Sequence, residues 1–233
     1  MMVSTEQPNT SAVADPSGVH PSGGTRRVNA GWVIGQLISF VFHPLFIPGY
    51  ITAFLLFVHP FAFAGENEWY KKIKLISVLV STAFFPAFTV FLLKQLGFAS
   101  SFQLKTQKER IIPIVASMVF YFWIFYVSKN RPDNPPELVK MLCAVFITSI
   151  IALTANNFIK ISLHAIAMGV LVSFFVYMAW TSLIPMIVPL AVSILIAGLV
   201  GTARLMTGAH SNSELVWGFA TGVVSMFIAV WVV

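Results

Sequence analysis

Charge is scarce in this chain: of 233 residues only 9% are Asp, Glu, Lys or Arg, and cysteine occurs once. A soluble domain has roughly a quarter of its residues charged because its surface must face water, so an ordinary soluble domain is excluded. The lone Cys143 lies inside an apolar run and excludes an intramolecular disulfide, saying nothing more about compartment. Strand-like alternation is missing as well. Residues 183–200 are apolar without the period of two that a transmembrane barrel strand shows. A His-Glu-x-x-His metal pattern is also absent.

What is there is apolar length. Hydrophobic residues make up 58% of the chain and the mean hydropathy is +0.85. Several runs approach the roughly 20 residues that a helix needs to cross a hydrocarbon core. At that depth every backbone group must be paired within the protein, which favours helices. The expected fold is all-α, a polytopic transmembrane helix bundle of six to seven spans. Residues 1–30 are polar and rich in Pro, Ser, Thr and Gly. They cannot bury enough surface to offset their ordering entropy, so they read as a disordered tail ahead of a membrane domain over 31–233. The apolar stretch after Arg26 and Arg27 is too long for a signal peptide and has no evident small-residue cleavage site.

The run over 32–64 would span about 50 Å as one helix, more than one upright crossing requires. Pro44, Pro48 and Gly49 divide it, giving a piece near 32–43 and a span near 46–64. Further spans are expected near 74–96, 112–128, 138–159, 164–182, 185–203 and 214–233. The breaks near 97–111, 160–164 and 204–213 are separated by pairs of spans, so they share one membrane face. Those near 65–73, 129–137 and 183 share the other.

Beyond Lys140 the chain has five Asp, Glu, Lys, Arg or His residues: Lys160, His164, Arg204, His210 and Glu214. All fall at two of the three breaks on the shared face, and the third adds Lys105, Lys108 and Arg110. A charged side chain near mid-membrane costs about 2.5–3.5 kcal/mol on insertion scales and is kept where it is solvated, paired or useful. Cations and imidazoles beside helix starts suit an anion, because helix N-termini present unpaired N–H groups and the positive end of the dipole. A metal fits this charge inventory less well than phosphate, since Arg204 and Lys160 would repel it. His43 and His59 each precede a proline near the first span and read as structural.

The stretch Arg204-Leu-Met-Thr-Gly-Ala-His210-Ser-Asn-Ser-Glu214 resembles the Ser-Arg-x5-His-x3-Asp signature of the type 2 phosphatidic acid phosphatases, the membrane lipid phosphate phosphatases. Lys160-Ile-Ser162-Leu-His164 is similar to their Pro-Ser-Gly-His signature, and the likeness extends over roughly 105–233 toward small bacterial members. Ala203, Glu214, Ile161 and Leu163 depart from the signatures. Arg110, followed by Pro113 rather than directly by proline, stands at the first signature, Lys-x6-Arg-Pro, where Gln103 occupies the lysine position and Lys105 or Lys108 lies nearby.

The resemblance implies a metal-independent phosphatase without a cofactor. His210 would be the nucleophile forming a phosphohistidine, Glu214 its carboxylate partner, and His164 the general acid. Arg204, Ser162, Lys160, Arg110 and Lys105 would bind the phosphate. A lipid phosphate or polyprenyl diphosphate is the implied substrate; membrane lipids are the other partner and no nucleic acid is expected. Lys71, Lys72, Lys74, Lys129, Arg131 and Lys140 gather on the face away from the site. Lys and Arg excess marks the cytoplasmic side, so the site is expected to face the periplasm from a bacterial inner membrane. The competing expectations are a non-catalytic protein that binds lipid phosphate or a partner, and a small transporter.

Overall fold

The computed structural model describes residues 30–98, 107–158 and 161–233, with 107–110 by backbone alone. Among the described residues every regular element is helical: α1 (Ala30–Val41), α2 (Ile47–Phe57), α3 (Glu68–Leu79), α4 (Phe85–Gln95), α5 (Gln107–Lys129), α6 (Pro136–Asn156), α7 (Leu163–Thr181), α8 (Ile187–Met206) and α9 (Asn212–Val232). A 3₁₀ turn at Pro44–Phe46 joins α1 to α2, and a π-turn at Val80–Phe84 joins α3 to α4. Seven segments are long and apolar enough to cross a membrane: Ala30–Phe57, Glu68–Gln95, Ile111–Lys129, Pro136–Asn156, Leu163–Thr181, Ile187–Met206 and Asn212–Val232. The protein is an integral membrane helix bundle. Apart from Ala30, the polar tail lies outside the described residues.

The irregular joints follow from proline. His43, ahead of Pro44, is driven out of the helical region (ψ 139°) and ends α1. Pro86 has no N–H to give the Thr82 carbonyl, and the turn before it widens so that Phe85 N–H reaches back to the Val80 carbonyl. The Tyr121 hydroxyl donates to the Thr82 oxygen at 3.5 Å, so that carbonyl is satisfied at depth. The second expected piece, near 46–64, is helical only to Phe57. His59 stops it: its Nδ1 accepts from the Phe61 and Ala62 N–H groups at 3.3 and 3.0 Å, folding 58–65 into turns.

The centre of the bundle is α6 and α7, with Leu138, Met141, Leu142, Phe174 and Met178 almost wholly buried beside Ile51 and Leu55 of α2. Outward faces stay apolar, as at Ile187, Val188 and Leu195 of α8, which suits contact with acyl chains. Trp69, Trp180 and Trp231 are exposed at the end of the bundle where α3 begins and α7 and α9 finish, in the manner of an interfacial aromatic belt. The same end carries Lys71, Lys72, Lys74, Lys129, Arg131 and Lys140. There Tyr70 donates to Asp133, which also accepts from Arg131 Nε at 3.1 Å, and these two partners hold the Asp133 carboxyl well below the usual carboxylate range.

Apolar burial drives little helix association in lipid, so close packing must do so. Gly169 of α7 and Gly222 of α9 face each other, and a Cβ on Gly222 would collide with the Ile166 carbonyl. Gly218 makes a similar approach, its Cβ position lying 2.8 Å from the Ser162 carbonyl. This seam brings the N-terminal ends of α7 and α9 side by side. Gly222→Leu should therefore destabilise the bundle by about 3 kcal/mol, because backbone rather than a movable side chain blocks it. Gly198→Leu, on an open face of α8, should leave the melting temperature in detergent unchanged. Equal melting of the two variants would dismiss the seam as a constraint.

Candidate functional site

Local chain rules set Arg204 and His210 beside each other. Gly208, at φ +60°, ends α8, with its N–H on the Leu205 carbonyl (2.9 Å) and the Ala209 N–H on the Arg204 carbonyl (3.1 Å). This is the paired closure that glycine permits at a helix C-terminus. Ser211 then caps α9 by accepting from the Glu214 N–H at 3.4 Å. In the usual Ser-x-x-Glu box the carboxylate would turn back to the cap N–H. Here Glu214 Oε2 instead meets His210 Nδ1 at 2.6 Å. The imidazole side chain is 8% exposed and the carboxylate 25%, so the histidine is shielded while its partner retains some water.

His164 stands on the first turn of α7, and its Nε2 lies 3.0 Å from the Ser39 carbonyl of α1. A carbonyl only accepts, so Nε2 carries hydrogen and Nδ1 is the nitrogen at which the proton of a charged ring is lost. Arg204, half-buried, donates from NH1 to Ser39 Oγ at 3.3 Å. Its Nε is buried and, among the described residues, has no acceptor and no carboxylate partner. A buried donor of this kind is costly to leave unmatched and suits an anion with several oxygens.

Arg204, His164 and His210 line one cavity of about 880 Å³. Gln36, Ser39 and His43 also line it, as do Ser117, Tyr121, Thr148 and Ser149, while Ile51, Val145 and Val170 are among its apolar walls. At a helical rise of 1.5 Å per residue, Val170 lies about 9 Å along α7 from His164. Ser162 is not part of that wall: it is fully buried and its Oγ accepts from the Ala165 N–H at 3.4 Å, capping α7. Glu214 sits behind His210 rather than on the wall. Lys105 and Lys160 lie outside the described residues, as does the side chain of Arg110. Among the described residues no three His, Cys, Asp or Glu side chains gather as a metal site.

Trp32, Gln36, Ser39 and His43 are among the wall residues that motif reading passes over. Their spacing of four, three and four residues puts them on one helical face, so a polar stripe on the first apolar segment was the available signal. His43 does play the expected structural part, accepting from the Leu45 N–H at 3.4 Å, but it also faces the cavity, its ring 5.4 Å from that of His164. His59 is a turn cap at the opposite end, 3.4 Å from Ser182 Oγ. Burial holds its pKa below the ordinary histidine value.

Compared with protein-family models, curated proteins and solved structures, the chain finds no match. The fold and site define a polytopic membrane bundle with an arginine–imidazole cavity.

Proposed function

We propose that this chain is a membrane phosphatase that hydrolyses a lipid phosphate or a polyprenyl diphosphate through a phosphohistidine, in a bacterial inner membrane with its site toward the periplasm. One observation carries the reading: Arg204, His164 and His210 line a single cavity that runs on into apolar walls. The likeness of 204–214 to the type 2 phosphatidic acid phosphatase signature supports the same chemistry. An anionic head would lie against the guanidinium, and a hydrocarbon tail would extend past Ile51 and Val170.

In the first step the His210 Nε2 lone pair attacks phosphorus, and the bond from phosphorus to the lipid oxygen breaks. Glu214 holds Nδ1–H and steadies the charge that develops on the ring. His164 gives its Nδ1 proton to the departing oxygen. In the second step water attacks phosphorus, His164 takes the water proton, and the N–P bond breaks to release phosphate and restore His210. Arg204 spans the non-reacting oxygens throughout.

The test is phosphate release from phosphatidate and from a polyprenyl diphosphate by purified protein in EDTA. Release from either is expected; no release, or activity only with added metal, sinks the proposal. For sidedness, a Cys143→Ala background carrying Ser211→Cys should react with a membrane-impermeant maleimide on intact cells, and one carrying Trp69→Cys should not. The opposite pattern would turn the site to the cytoplasm.

A further inference from the structure

The break in the first apolar segment does more than shorten a helix. The last turn of an α-helix leaves four carbonyls without partners, and α1 disposes of them individually. The Ile38 carbonyl accepts from the Phe42 N–H (2.9 Å) and the Phe40 carbonyl from the His43 N–H (3.3 Å). The Val41 carbonyl accepts from the Tyr50 hydroxyl at 2.7 Å. In an unbroken helix the His43 N–H would belong to Ser39. Because Pro44 forces His43 into an extended conformation, that N–H turns to Phe40, and the Ser39 carbonyl is released to accept from His164.

Ser39 thus touches two site residues with two different groups. Its carbonyl holds His164 Nε2, and its hydroxyl accepts from Arg204 NH1 at 3.3 Å. It is 4% exposed, so water does not compete well for either bond. His43 supports the same imidazole from the side, its ring lying edge-on to that of His164 at an interplanar angle of 81°. The carbonyl end of α1 also directs the negative end of a helix dipole toward these cationic groups.

We propose that the hinge Ser39–Pro44 is a positioning element for phosphoryl transfer, with Ser39 and His43 orienting His164 so that its Nδ1 delivers a proton to the leaving oxygen. The inference rests on the phosphatase reading above. None of these hinge residues belongs to the signatures that the sequence shares with the lipid phosphatases, and the hinge lies more than a hundred residues from His164 in the chain.

A proton donor matters only when the leaving group needs one. Phosphatidate expels an alkoxide-like oxygen, whereas an alkylated 4-nitrophenyl phosphate expels a stabilised phenolate while keeping a tail for the cavity. Two variants disturb the hinge differently. Pro44→Ala lets α1 continue, so that the His43 N–H competes for the Ser39 carbonyl. His43→Asn keeps an acceptor for the Leu45 N–H and removes only the ring.

Both variants should lower kcat/KM on phosphatidate by about 10- to 100-fold, a partial loss of the roughly 10²- to 10⁴-fold that a general acid contributes, and change it less than about threefold on the aryl phosphate. Melting temperatures measured alongside should stay near that of the parent. Equal losses on the two substrates, or no loss on phosphatidate, would overturn the hinge's role. A parent protein inactive on both substrates would instead remove the phosphatase reading, and the proposal with it.

Discussion

His210→Ala should release phosphate from its lipid substrate at least about 10⁴-fold more slowly than the parent, with no radiolabelled phosphate trapped on the protein in an acid quench. Losing a nucleophile removes a covalent route altogether, and residual rates then come only from binding and electrostatic stabilisation. The variant should stay folded. The closure of α8 runs through backbone groups from Arg204 to Ala209, and the α9 cap comes from the Ser211 side chain, so neither uses the imidazole. The loss includes one short bond to Glu214, a carboxylate that keeps some water contact and sits in the first turn of α9, where the helix dipole favours negative charge. That loss should cost about 1–2 kcal/mol. An unaltered rate would remove His210 as nucleophile. A large drop in melting temperature would mean that the imidazole supports the fold.

The bundle was legible because length and apolarity in a membrane are severe constraints. Seven segments are long and apolar enough to cross, six of them near where the hydropathy puts them, and most ends agree within a few residues. Alternation of spans also foretold that His164 and the 204–214 stretch meet at one end, since α7 and α9 start there and α8 ends there. The exceptions are local. Span limits at 46–64 failed because the apolar run continues past Pro60, which disfavours helix at His59, and the His59 ring caps a turn there instead.

The site was legible where spacing carried it and illegible where packing did. His210 comes six positions after Arg204, just enough for a glycine closure and a serine cap, and Glu214 four positions after His210, one helical turn. Ser162 looked like a phosphate donor by its place beside His164, yet a serine one residue ahead of a helix is equally suited to cap it, and its hydroxyl does so. His43 was read from its proline alone. Only the meeting of α1 with α8, and of the hinge with α7, shows that the stripe from Trp32 to His43 faces the same cavity. Such contacts join residues more than 120 positions apart, and no local pattern encodes them.

Arg204→Lys should reduce kcat/KM by about 10²-fold although it keeps the charge, and Arg204→Ala by about 10³-fold. The guanidinium is a planar fork of five N–H donors. One of them is spent on Ser39 Oγ, while Nε, buried and without an acceptor among the described residues, can pair with a second atom on the same side. A phosphoryl group changing from tetrahedral to trigonal bipyramidal needs donors fixed in direction while its oxygens move. Lysine offers three rotating donors on a flexible stem and would have to choose between Ser39 and the phosphoryl oxygens. If Arg204 acts mainly in the transition state, Arg204→Lys will lower kcat while leaving KM nearly unchanged, as measured by steady-state phosphate release in detergent micelles. A rise in KM alone would make Arg204 a ground-state anchor for the head group, and an unaffected enzyme would deny that the arginine meets phosphate at all.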